Sequence, residues 1–231
     1  MAADTTFLPV DREVTLTEKV YGRLRSALVG GRLVPGQKLV HRQLAAELGV
    51  SLTPVREALL RLVSEGALDL DARGIAWVPQ LLPERYEEIM ELRIELEGRA
   101  AARAAALATP EQIEALRAIH ARLMQARRAG DAATVLAENE RFHFGVIEIA
   151  RMPVLRRVVE NLWTQAGPTI SLLSTVPRPV SPAGHPHDDL LQALDAHDAA
   201  AAGAAVERDL REHAAIVAPL LGRASTHHDR I

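Results

Sequence analysis

Arg42–Arg56 reads Arg-Gln-Leu-Ala-Ala-Glu-Leu-Gly-Val-Ser-Leu-Thr-Pro-Val-Arg. Leu44, Ala45 and Leu48 recur at helical spacing, and Gly49 then breaks the helix. Ser51-Leu52-Thr53-Pro54 opens a second helix carrying Val55, Ala58, Leu59 and Leu62 on one face. Two short helices joined by a tight turn containing glycine, the second entered through hydroxyl residues, form a helix-turn-helix. The second helix of such a pair presents its N-terminal residues to the DNA major groove. The stretch therefore points to a DNA-reading protein rather than an enzyme.

The flanks extend this reading. Thr17 is placed to cap a helix with the apolar face Val20, Leu24, Ala27 and Leu28, which Gly30-Gly31 ends. Leu33–Leu39 is a Pro-Gly turn with short extended flanks, and helices over 41–48 and 52–65 follow. Ala67–Leu70 and Ile75–Val78 read as two strands of a hairpin with Asp71–Gly74 at its tip. Together these elements predict a winged helix-turn-helix over 15–79, preceded by a flexible arm at 1–14. A linker over 80–83 leads into helices near 84–107, 110–129, 131–150, 152–174 and 187–221, the last broken near Ala196–Ala199. Val176–Pro186 holds four prolines and reads as a loop, and 223–231 as a tail. The expected fold is mostly α, with the winged head followed by an all-helical bundle of six or seven helices over 84–222.

Composition agrees. Hydrophobic residues are 48%, enough for a packed core, and aromatics only 3%, with alanine abundant, which favours helix. No 18-residue apolar run or signal-peptide pattern is present, so a cytoplasmic protein with no membrane partner is expected. The absence of cysteine excludes disulfides, thiolate metal sites and cysteine nucleophiles. The net charge of −3 is unevenly placed: residues 11–80 carry +2 and residues 81–231 carry −4. That suits a DNA-reading head on an acidic body. Arginine supplies 25 of the 27 basic residues, which fits bidentate phosphate and guanine contacts and a GC-rich genome equally well.

On this reading the DNA-facing side chains are Arg42, Ser51, Thr53, Arg56 and, at the wing tip, Arg73. Ser51 can cap the recognition helix and donate to a phosphate, and Thr53 and the helix N-terminal amides suit phosphate oxygens. Arg56, one turn further on, can span a guanine edge. Arg73 is placed to enter a minor groove or meet phosphates.

The residues also carry a resemblance. Tyr21-Gly22-Arg23-Leu24-Arg25, Gly31–Gly36, Gln43–Ser51 and Thr53–Leu59 resemble the DNA-binding domain of the GntR family of bacterial repressors. That family often has an arginine contacting DNA where this chain has Leu52, which implies a departing operator half-site; Arg42, Thr53, Arg56 and Gly74 match its pattern. Glu91–Ala101, Asn139–His143 and Ala193–Asp198 resemble the FCD ligand-binding domain of the FadR-type branch. The resemblance implies a homodimer on double-stranded operator DNA, controlled by a small carboxylate effector, with a divalent metal in many members. The implied ligand set is Asn139, His143, His187 and Asp209, with His213 as substitute or neighbour, a donor set that suits zinc, manganese or nickel. His185, His197, His227 and His228 read as surface or tail, and His120 is left open. Arg93 needs an anionic partner if buried: an effector carboxylate, or Glu97 at i+4.

Two other classes compete. A metal-dependent enzyme acting on a small organic acid would use His143 and His187, with Glu97 or Glu140 as acid or base, but no HExxH, nucleophile elbow or phosphate loop accompanies them. An effector-free architectural DNA binder would not need a bundle of about 140 residues to dimerise. The expectation is a metabolite-responsive transcription regulator, a repressor, and not an enzyme.

Overall fold

The computed structural model describes residues 15–169 and 184–225. The expected arm at 1–14, helix residues 170–174, the loop over 176–183, His227 and His228 lie outside the described residues. Helix α1 (Leu16–Val29) opens on Thr15, whose hydroxyl accepts the Glu18 amide while the Glu18 carboxylate accepts the Thr15 N–H. This reciprocal box places the cap two residues before the expected Thr17. Thr17 instead donates its hydroxyl to Glu57 at 2.7 Å, tying α1 to the recognition helix.

Helix α2 (His41–Leu48) ends at Gly49, whose φ of +66° is the left-handed conformation that glycine adopts without strain. The chain turns there into α3 (Leu52–Ser64), the recognition helix. Ser51 occupies the cap position but makes no capping hydrogen bond, contrary to expectation. Residue N3 of this helix is Pro54, which has no N–H for a cap to accept.

Strands β1 (Lys38–Leu39), β2 (Asp69–Leu70) and β3 (Ala76–Trp77) form an antiparallel sheet in the order β1-β3-β2. The wing is thus three-stranded where a two-stranded hairpin was expected. The Pro-Gly turn carries Lys38–Leu39 alongside β3, and Gly36 N–H donates to the Val78 carbonyl at 2.8 Å. The hairpin strands are also shorter than expected, because the Ala67 and Leu68 amides close back onto the Leu62 carbonyl at the end of α3. Leu24, Leu28, Leu39, Val55, Leu59, Leu62 and Leu68 fill the core of this head.

The body comprises α4 (Pro83–Leu107), α5 (Pro110–Ala129), α6 (Ala132–Ile149), α7 (Pro153–Ala166), α8 (Pro186–Asp195) and α9 (Ala199–Ser225). Proline stands at the start of α4, α5, α7 and α8, where its missing N–H costs nothing. Pro83 therefore belongs to α4 and not to the linker, and Pro186 to α8 and not to the loop. The α8–α9 break falls where expected, with His197 at φ +52°. Helices α4 and α9 approach closely through small residues: a Cβ on Gly203 would lie 3.3 Å from the Gly98 carbonyl oxygen.

Head and body share a polar seam built on α7. Asn161 and Gln165 both donate to the Glu65 carbonyl at the end of the recognition helix, at 3.0 and 3.2 Å. Arg85 donates to the Gly66 carbonyl at 3.0 Å and to Gln165 at 2.8 Å. Just beyond α7, a Cβ on Gly167 would lie 2.6 Å from the Leu28 carbonyl oxygen and Val29 Cα. These are backbone atoms and cannot step aside. Gly167→Ala is therefore expected to cost about 1–3 kcal/mol of stability. Thermal unfolding of the full chain checks this, and an unchanged midpoint would contradict the close approach.

Candidate functional site

On the head, Arg42, Ser51, Leu52, Thr53 and Arg56 of the helix-turn-helix are all solvent-exposed. Leu52, at the first position of α3, is 46% exposed, unlike the leucines that pack the head. Arg42, Arg56 and Arg73 form no ion pair among the described residues. The wing tip is held by Asp71, whose Oδ1 accepts the Arg73 and Ile75 amides at 2.9 Å each. The Ile75 amide is the main cause of its lowered carboxyl pKa. Gly74, at φ +76°, makes the turn, leaving Arg73 exposed at the tip.

In the body, α6, α8 and α9 bring His143, His187 and Asp209 together, with one donor atom of each within 4.8 Å of the others. His143 Nε2 stands 3.1 Å from Asp209 Oδ2, and His187 Nε2 3.7 Å from the same oxygen. His143 turns its other nitrogen, Nδ1, to Glu97 Oε2 at 2.9 Å; this is an ion-pair contact without hydrogen-bond alignment. Carboxylates on both sides override burial and raise the His143 pKa to about 9. Burial lowers that of His187 to about 4. Asp209 is held well below the carboxylate range: burial opposes ionisation, but His187 and His143 outweigh it. Both His187 ring nitrogens are buried without a hydrogen-bond partner, and the ring stacks on Phe142 with centroids 3.8 Å apart. Two imidazoles and a carboxylate, with the His187 nitrogens buried and unpartnered, fit a first-row divalent ion.

The family profile of the FCD domain matches residues 88–218, and that described as "Bacterial regulatory proteins, gntR family" matches residues 16–74. The HTH-type transcriptional regulator McbR of Escherichia coli K12 is 36% identical over 189 residues, 81% of this chain and 86% of McbR. The chain belongs to the GntR family. The solved structure of E. coli McbR/YncC matches this GntR protein with a TM-score of 0.84 and 34% identity, covering 89% of this chain and 98% of that one. A protein of Paenarthrobacter nicotinovorans named "Probable D-xylose utilization operon transcriptional repressor" is 29% identical over 205 residues, 89% of this chain and 88% of its own. These relatives are named transcription regulators, not enzymes, and this GntR/FCD chain is a transcription regulator. No helix among the described residues is long and apolar enough to cross a membrane.

Other members of the GntR protein's candidate set are placed as follows. Asn139 is half-buried, one helical turn before His143 on α6. His213 follows Asp209 by one turn on α9, outside the group formed by His143, His187 and Asp209. Arg93 is 4% exposed and donates to Glu97 Oε1 at 2.8 Å, with its guanidinium carbon 4.1 Å from the centre of the Trp163 ring. Of the two partners the sequence offered, the structure supplies Glu97. Burial would raise the Glu97 pKa, but Arg93 and then His143 bring it down to about 2. Trp163 Nε1 also donates to Glu97 Oε1, at 3.0 Å. Glu140, imagined as a catalytic base, instead pairs with Arg25 of the head at 3.3 Å.

Two further histidines, His120, which the sequence left open, and His185, which it placed on the surface, stand beside this group. His120 on α5 is 6% exposed, and His185 is not surface: it caps α8, accepting the His187 amide on Nδ1 at 3.2 Å. Burial lowers the pKa of both, that of His185 to about 3. A surface recess at the α6–α7 corner, lined by Glu148, Arg151, Met152 and Arg156 among others, includes none of the candidate ligands.

Proposed function

We propose that this regulator is a metabolite-responsive repressor that binds a palindromic operator as a homodimer, and that a divalent metal in the body receives a small carboxylate effector. The observation that carries the reading is the convergence of His143, His187 and Asp209 in the interior of the domain attached to the DNA-reading head. His143, His187 and Asp209 would hold the ion, with Asn139 one turn from His143 and His213 one turn from Asp209. The metal, zinc, manganese or nickel, would supply a Lewis-acidic seat for the effector's carboxylate. Glu97 orients His143, as carboxylates behind ligating imidazoles do. Arg93 keeps that carboxylate charged. On DNA, Arg42, Ser51 and Thr53 would meet phosphates, Arg56 a guanine edge and Arg73 the groove beside the wing, which Gly74 shapes.

Elemental analysis and operator binding test this together. Replacing His143 and His187 with alanine is expected to remove the bound metal and, with it, the response of DNA binding to small carboxylates. Metal content unchanged in the double variant would overturn the site. In the wild type at pH 7, His143 carries a proton that the ion must displace, so metal uptake releases about one proton, readable with a pH indicator.

Leu52 gives a second measurement. An exposed leucine in the major groove packs against a thymine methyl group and offers nothing to guanine. Selection of binding sites from random duplexes should show thymine preferred at that position. Leu52→Arg is expected to move the preference to guanine by about 1–3 kcal/mol, roughly 5- to 150-fold. An unchanged selected sequence would remove Leu52 from the interface.

A further inference from the structure

The site just described is not the whole of the histidine cluster. His120, His185 and His187 form a second group whose donor atoms also lie within 4.8 Å of one another, and it meets the first group at His187. We propose that His120, His185 and His187 form a second, separate seat for a borderline-soft divalent cation such as Zn²⁺ or Co²⁺, sharing the His187 ring with the first.

The orientation of each ring supports this. His120 Nε2 faces Asp188 Oδ1 at 3.1 Å. A carboxylate on one imidazole nitrogen keeps the proton there and leaves the lone pair on the other, the arrangement found behind metal-ligating histidines. The other nitrogen, His120 Nδ1, is buried and has no hydrogen-bond partner. His187 Nε2 looks towards Asp209, and its Nδ1 is likewise buried and unpartnered. The His185 ring lies 5.1 Å from that of His120 and 4.4 Å from that of His187. Its Nδ1 lone pair now caps α8, so joining an ion means giving up the bond from the His187 amide. Unpartnered nitrogens on two buried rings whose centroids are 5.2 Å apart are costly, and a cation satisfies them together.

The donor set narrows the ion. All three donors are imidazoles, and the nearby carboxylate, Asp188, is engaged behind His120, so hard oxygen-seeking ions such as Mg²⁺ and Ca²⁺ are disfavoured. With both seats filled, His187 would face one ion through each ring nitrogen, which requires its remaining N–H proton to be released to solvent.

The test is metal stoichiometry on the full chain, stripped with chelator, reloaded with Co²⁺ or Zn²⁺ and freed of excess. Two ions per chain are expected. His120→Gln and His185→Gln should each lose one ion and retain the other, while His143→Ala with Asp209→Asn should retain the ion at His120. The Co²⁺ visible spectrum should resolve two components in the wild type and one in each variant. Circular dichroism identifies any variant that fails to fold, and the wild-type count then decides alone. A single wild-type ion that survives His120→Gln, or is lost in both kinds of variant, overturns the second seat. A single ion lost with His120→Gln but kept by His143→Ala leaves this seat standing and sinks the first site instead. No bound ion overturns both.

Discussion

Arg56→Ala should abolish sequence-specific operator binding without changing the fold. Arg56 is exposed on the recognition helix, forms no ion pair among the described residues, and packs into neither core. Its loss removes no interaction within the head, so the unfolding midpoint should move by no more than the roughly 0.5 kcal/mol typical of a surface change. A bidentate contact to guanine contributes about 1–3 kcal/mol of discrimination, and the proposed homodimer would make it twice. The expected loss is therefore about 2–6 kcal/mol, or roughly 30-fold to more than 10⁴-fold in specific affinity, while residual binding falls steeply with salt as phosphate contacts dictate. Titration of a selected duplex and a scrambled one at two salt concentrations reads both effects. Unchanged preference for the selected duplex would take Arg56 out of the base-reading set. Arg42→Ala provides the contrast, weakening binding to both duplexes alike if it meets only phosphate.

Glu97→Ala should strongly destabilise the body. Glu97 is 2% exposed and stands between Arg93 at 2.8 Å and His143 at 2.9 Å, with Trp163 donating to it as well. Removing the carboxylate leaves a buried guanidinium facing nothing negative, which costs about 3–5 kcal/mol. For a chain of this length that lowers the melting point by roughly 6–20 °C. The pH profile separates the charge from the packing. The folded-state pKa of Glu97 is about 2, below its ordinary 4.5, so its contribution is complete above about pH 4.5 and lost as the pH falls towards 2. Glu97→Gln keeps the shape and loses this dependence, so the two stability curves should converge in acid. Curves that stay parallel down to pH 2 would mean Glu97 contributes by packing alone.

The long elements were legible because their signals are local. Pro110 after Thr109, Gly130 before Asp131 and the apolar spacing of α3 each act within a few residues, and the structure places helix ends there. Ser51 was misjudged for an equally local reason that was overlooked: Pro54 three positions on has no amide to give. The third strand of the wing was not legible, because Lys38 meets Trp77 across nearly 40 residues and two helices. Spacing within one helix suggested Arg93 with Glu97, and family likeness supplied the His143, His187 and Asp209 set. Neither could reveal His120, which reaches Asp188 from a separate helix 68 residues away. His185 reads as surface in the sequence, two residues from His187. It is outside the helix, however, and as a cap its ring folds back over the first turn.

Helix α7 is a partition wall with tenants on both sides. Its Trp163 holds the carboxylate behind His143, while Asn161 and Gln165, two residues away in either direction, hold the last carbonyl of the recognition helix. The distance from the histidine chamber to the DNA-reading rod is therefore the thickness of a single helix. A rotation of α7 would therefore act on both sets of contacts at once.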